Sequence, residues 1–132
     1  MPDLATTYAI LSERHLEAAN LLLNSEHHDS AIFHSFHAFE CICRSGLVSY
    51  GEAIRKDHGK NITWFVKCSR DQSRVFTKEV SDVTAIVIAV RNPSLYPDAG
   101  ILPTVRFSPA EAIDTWSKVR GIVSQIRKDL EV

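Results

Sequence analysis

Val83-Thr84-Ala85-Ile86-Val87-Ile88-Ala89-Val90 reads two ways, and the fold turns on which reading holds. Its β-branched residues suit a strand, because they are stiff at χ1 and pack well on a pleated surface. A strand here would make the chain a mixture of helix and sheet, whereas a helix would leave no strand anywhere. Length decides for helix. Val75, Phe76, Val80, Val83, Val87 and Val90 recur three and four apart over Gln72 to Asn92, a span far longer than an ordinary strand. The segment is expected to stop at Asn92-Pro93, since proline disfavours helical geometry at the residue before it. Pro93 to Phe107, with three prolines and one glycine, then reads as a long loop.

Working outward, the remaining segments are also helical. Leu4, Tyr8, Leu11, His15, Ala18 and Leu22 form an apolar stripe over Leu4 to Asn24, with Ser12, Glu13, Arg14 and Glu17 on the other side. Either Asp29 or Ser30 can cap a second helix that runs to about Tyr50, where Gly51 supplies a left-handed stop. This second helix, containing Ala31 to Arg44, is apolar around most of its circumference, the pattern of a central element packed on several sides. Asn61 to Cys68 makes a short third helix. Ser108-Pro109-Ala110-Glu111 joins an N-cap serine, a proline at the first helical position and a capping-box glutamate, so the last helix starts there and continues through Ile113, Trp116, Val119, Ile122 and Ile126. The expected fold is an all-α, up-and-down helical bundle of about five helices, a single domain over 1–132.

Composition narrows function. The 132 residues suffice to bury roughly two thirds of the unfolded surface around one core. Lys and Arg total 15 against 16 Asp and Glu, so no broad electrostatic pull acts on polyanions and any nucleic-acid contact must be local. Cys41, Cys43 and Cys68 are an odd number, and Cys41 and Cys43 point about 200° apart on a helix, which suggests neither a disulfide framework nor a zinc knuckle. With no signal-like start and no apolar run long enough to span a bilayer, a cytoplasmic protein with no membrane role is expected.

His34, His37, Glu40, Cys41 and Arg44 share one stripe of the second helix. Two imidazoles, a carboxylate and a thiol could ligate zinc. Histidines three apart are looser evidence than H-E-x-x-H, however, and such residues on a buried helix more often hydrogen-bond in the core or at an interface. Tandem His27-His28 point to different sides of a turn. No metal and no cofactor are expected. Trp64, Trp116, Phe33, Phe36 and Phe39 sit at helical spacing and are read as core rather than as base-stacking platforms.

The order of these features resembles the HEPN family, small helical bundles found beside minimal nucleotidyltransferases and among prokaryotic RNase toxins. The resemblance rests on His37-Ala38-Phe39-Glu40 in the second helix, His58 in Asp57-His58-Gly59-Lys60 before the third, and Arg91-Asn92 at the end of the fourth. Nuclease members carry R-x-x-x-x-H there, whereas this chain reads Arg91-Asn92-Pro93-Ser94-Leu95-Tyr96, with tyrosine in place of histidine. The resemblance therefore implies a module that binds a nucleotide or RNA, or a partner nucleotidyltransferase, through Arg91, Asn92, Tyr96, Glu40 and His37, without nuclease activity. Metal-independent cleavage needs a cation for the phosphate and an imidazole that exchanges protons near neutral pH. Arg91 supplies the first, but a phenol titrating near pH ~10 is a poor base. The alternative is an RNase toxin of a toxin-antitoxin system that pairs Arg91 with His58, or with His37, as catalytic residues. A homodimer is implied as well, since HEPN domains commonly pair with their arginine-bearing helix ends face to face, and a structural dimerisation module is the remaining alternative.

Overall fold

The computed structural model describes residues 3–95 and 107–132, with the side chains of residues 92–95 outside that description. Among the described residues there are five helices and no strand: α1 (Leu4–Asn24), α2 (His28–Ser49), α3 (His58–Asp71), α4 (Thr77–Leu95) and α5 (Pro109–Leu130). None of them is long and apolar enough to cross a membrane. The β-branched stretch of α4 is helical because three of its valines, Val80, Val83 and Val87, fall on one side and bury in the common core. A strand would have sent alternate residues to opposite faces.

Helix α2 is the hub. It packs on α1, α3, α4 and α5, which is why its sequence is apolar almost all round. Phe36, Phe39, Ile42 and Leu47 are fully buried on it. Gly46 lets α3 approach, since a Cβ there would lie 2.1 Å from the buried Phe65 ring. Helices α1 and α2 run antiparallel and close together, with Ser12 Oγ donating to the Ala38 carbonyl at 2.6 Å and Ser45 Oγ donating to the Ala5 carbonyl at 2.6 Å. These bonds identify the face of α1 that is buried: Ala5, Ala9, Ser12, Leu16 and Ala19.

That face corrects the sequence reading of α1. Leu4 and Leu11 are exposed, Tyr8, His15, Ala18 and Leu22 are half-buried, and Ser12, assigned to the polar side, is at the centre of the contact. Small side chains dominate this face, with Leu16 its one large residue, because the two backbones lie within hydrogen-bonding range of each other's side chains at Ser12 and Ser45.

The helix ends need corrections too. Neither Asp29 nor Ser30 caps α2; His27 occupies the N-cap position and Asp29 sits in the first turn, where its charge complements the helix dipole. Helix α3 starts three residues before Asn61, because Asp57 accepts from Lys60 N at 3.1 Å and caps it, so His58 is the first helical residue rather than part of a link. Helix α4 starts at Thr77, leaving Val75 83% exposed, and continues past Asn92 to Leu95, so the bias against helix before proline does not end it. The rest of the expected loop, with Tyr96, lies outside the described residues. Gly51 takes the left-handed conformation expected of it, at φ 79°. Ser108 accepts from Glu111 N at 3.1 Å in a complete capping box, as its sequence requires, although Ile113 of the expected α5 stripe is exposed.

Candidate functional site

Glu40 projects from the middle of α2 and is nearly excluded from solvent, with a side chain only 4% exposed. A lone buried carboxylate would take up a proton, but this one is surrounded by donors. His58 Nδ1, at the start of α3, lies 2.5 Å from Oε2; His37 Nδ1, one turn back along α2, lies 3.5 Å from Oε1; and Arg44 Nη2, one turn on, lies 3.9 Å from Oε2. Burial alone would raise the Glu40 pKa, yet the His37 hydrogen bond, the His58 charge and hydrogen bond and the Arg44 charge outweigh it and hold the carboxyl below its usual value. Glu40 is therefore ionised at neutral pH and can only accept. His58 Nδ1 must then be the N–H that donates to it, which leaves Nε2 as the ring nitrogen not engaged by Glu40.

His58 also lines a cleft of about 370 Å³ together with Phe36, Asp57, Gly59, Ile88 and Arg91. Arg91 reaches it from the far part of α4, its guanidinium 5.3 Å from the centre of the Phe36 ring. His58 and Gly59, the first residues of α3, line the same cleft, so the positive end of that helix adjoins it. Asp57 is the acidic residue of the lining, and its carboxylate is occupied in capping α3. The cleft thus offers a guanidinium, a helix N-terminus and an imidazole to a small anion.

Of the residues singled out from sequence, Arg91 and His58 meet in this cleft, Glu40 stands directly behind His58, and His37 flanks Glu40. Asn92 lies in the last part of α4 without a described side chain, and Tyr96 lies outside the described residues. Sequence reasoning did not single out Phe36, Gly59 or Ile88 as lining, nor His15 as a partner of His34. His15 Nδ1 and His34 Nδ1 are 3.0 Å apart, and the His15 ring stacks on His37 with centroids 5.2 Å apart. Burial, the charge of His37 and, for His15, that of His34 lower the pKa of both, with Glu40 opposing this at His15. His15 carried no signal in the sequence beyond its place on an apolar stripe.

The four donors considered for zinc do not converge. Glu40 is engaged by His58, and His34 pairs with His15. Cys41 is pushed up to about 11 by burial and by the nearby Glu40 charge, against the pull of Arg44, and so is a thiol at neutral pH. Among the described residues no group of three or more His, Cys, Asp or Glu side chains is arranged to hold a metal ion. All three cysteines are free.

With this geometry in place the wider comparison is direct: the family model of the HEPN domain matches residues 11–128. The chain belongs to the HEPN family. The match runs from α1 to the end of α5, and so takes in Glu40, His58 and Arg91. No curated protein matches this HEPN chain. HEPN domains are linked to nucleotide or RNA binding and to RNase toxins, and they often dimerise or pair with nucleotidyltransferases or antitoxins.

Proposed function

We propose that the cleft between α3 and α4 binds a phosphate of RNA and cleaves the chain there without a metal, with His58 in the role of the histidine that the HEPN motif lacks. One observation carries this reading: the buried, ionised Glu40 holds His58 Nδ1, so the Nε2 of the same ring is a base in a cleft that also contains Arg91. A carboxylate that fixes the tautomer and stabilises the imidazolium is a recurring support for a proton-transferring histidine.

In the reaction so inferred, His58 Nε2 takes the proton of the ribose 2′-hydroxyl as O2′ bonds to phosphorus. The bond from phosphorus to the 5′ oxygen breaks, and the proton returns through water to that oxygen. A 2′,3′-cyclic phosphate and a free 5′-hydroxyl result. Arg91 and the α3 N-terminus stabilise the charge on the phosphoryl oxygens. Glu40 is a positioning residue.

The test is incubation with labelled RNA in EDTA, with read-out of the new ends. Cleavage to cyclic phosphate ends that disappears in Arg91→Ala and in His58→Ala is expected. Full cleavage by His58→Ala would refute the mechanism. A second reading is favoured by Tyr96 at the position of the motif histidine: a non-cleaving module that holds a nucleotide or RNA end. Intact RNA in every lane, with binding lost in Arg91→Ala, would select it. The family tie also supports a homodimer with arginine-bearing helix ends face to face, which light scattering would test, and a nucleotidyltransferase or antitoxin as partner.

A further inference from the structure

Helices α1 and α3 both pack on α2 but not on each other, so a strip of α2 stays half-open between them. Its residues are not the usual solvated set. Phe33, His34, His37 and Arg44 lie along it, with Tyr8 and His15 on the adjoining edge of α1, all of them half-buried. Its aromatic rings cluster around His37, with Tyr8 and Arg44 paired further along. Phe33 sits edge-on to His37 with centroids 4.3 Å apart, His15 stacks on His37, and the Arg44 guanidinium lies 5.9 Å from the Tyr8 ring centre. The strip also joins the cleft. Phe36, which lines the cleft, lies edge-on to His37 with centroids 5.7 Å apart, and the His37 and His58 rings are 6.4 Å apart.

Charge distinguishes this strip from another groove of the molecule. The groove between α4 and α5, about 440 Å³, is rimmed by Glu79 and Asp82 with Lys118 opposite, and Lys118 is paired to Asp114 at 2.8 Å. Asp82 is itself paired to Lys78 at 2.9 Å, so this groove presents no excess of positive charge to a polyanion. Along α2 the carboxylate within reach of the imidazoles and Arg44 is Glu40, which is buried and already shared among three donors. Arg44 is the cation of the strip, and its guanidinium is held only loosely by Glu40, at 3.9 Å.

Resting on the phosphate reading of the cleft, we infer that the open strip of α2 with the edge of α1 is the platform for the adjoining nucleotides of a single-stranded RNA. Bases lie against Phe33, Tyr8 and the imidazole rings, and Arg44 meets a neighbouring phosphate. Single-strand binding surfaces combine aromatic faces with cations along the backbone in this manner, and stacking suits any base sequence. The ligand is consequently a strand of several nucleotides rather than a mononucleotide, and a duplex is excluded because its bases are already stacked.

The experiment uses 2′-O-methyl hexauridylate, which cannot be cleaved through its 2′ oxygen, and inorganic phosphate as a control. Amide shifts are followed by NMR, and affinity is followed at several salt concentrations. Phosphate alone should move His58, Gly59 and Arg91; the hexanucleotide should also move Tyr8, Phe33 and His37. Phe33→Leu, which keeps apolar volume but removes the ring, should weaken the hexanucleotide roughly five- to hundredfold and leave phosphate binding unchanged. Arg44→Gln should lower the salt slope by about one. Shifts confined to the cleft, with unchanged affinity in both variants, would overturn the platform and leave the cleft reading standing. No response at His58 and Arg91 to either ligand would overturn the cleft reading itself. Strip resonances that change with protein concentration and ignore the hexanucleotide would mean that a second copy covers the strip, and the platform would again be wrong.

Discussion

Replacing Glu40 with glutamine preserves shape and an acceptor while removing the charge that three donors surround. The bond from His58 at 2.5 Å is the strong member of the set, and a hydrogen bond to a charged group contributes about 1.5–3 kcal/mol against about 1 kcal/mol for a neutral one. The contacts from His37 at 3.5 Å and Arg44 at 3.9 Å are long, and each adds roughly 0.5 kcal/mol at most. Glutamine is also cheaper to bury than a carboxylate, which returns part of the loss. The net expectation at pH 7 is a destabilisation of about 1–2 kcal/mol, or a fall of roughly 3–10 °C in Tm at this chain length.

Calorimetry of both proteins from pH 7 to pH 3 tests the cause as well as the size. The Glu40 pKa is lowered in the folded state, so the native protein binds fewer protons than the unfolded one and the charge stabilises it above the ordinary glutamate value. That advantage is lost as pH falls from about 4.5 through the folded value. The wild-type and Glu40→Gln curves should therefore converge at acid pH. Equal Tm values at pH 7, or a gap that persists unchanged to pH 3, would refute the account of Glu40 as an ionised, net-stabilising hub.

Gly46→Ala drives a Cβ to 2.1 Å from the Phe65 ring, and the strain should exceed the helix-propensity gain and cost about 2–3 kcal/mol in urea unfolding. Ser108→Ala removes one half of the α5 capping box and should cost about 1 kcal/mol by the same assay. His15 and His34 have lowered pKa values in the fold, so the unfolded chain binds more protons as pH falls below about 6.5. Stability should decline from that pH downward, and His15→Ala should flatten that part of the profile in pH-dependent urea midpoints. With its pKa near 11, Cys41 should react with iodoacetamide at pH 8 some two hundred times more slowly than an ordinary exposed thiol of pKa ~8.5, as timed mass spectrometry would show.

Much of the architecture was legible because periodicity is a one-dimensional property. The 3.6-residue spacing of Val80, Val83 and Val87 outweighed the β-branched character of α4, and Ser108-Pro109-Ala110-Glu111 located the start of α5 to the residue. Where a local signal was ambiguous, the reading slipped. Asp57, Asn61 and the residues between them look equally like a link or a first turn, and only the capping bond to Lys60 N places His58 on the helix.

The sequence by itself determined the all-helical class, the central position of α2, and the pairing of Arg91 with a missing motif histidine as the point of interest. Which face of α1 is buried was a tertiary decision, because hydrophobicity favours the stripe of Leu4, Leu11 and Leu22 while the close approach of α1 and α2 selects the face of Ala5, Ala9, Ser12 and Ala19, with Leu16. The candidate site was tertiary in the same sense. His58 and Arg91 belong to different helices, and they share a cleft because α2 packs against both α3 and α4, with Glu40 fixing one residue and Phe36 seating the other. Spacing along α2 places His37 and Arg44 beside Glu40, but His58 reaches the same carboxylate only because α3 packs on α2, which spacing along one helix does not encode.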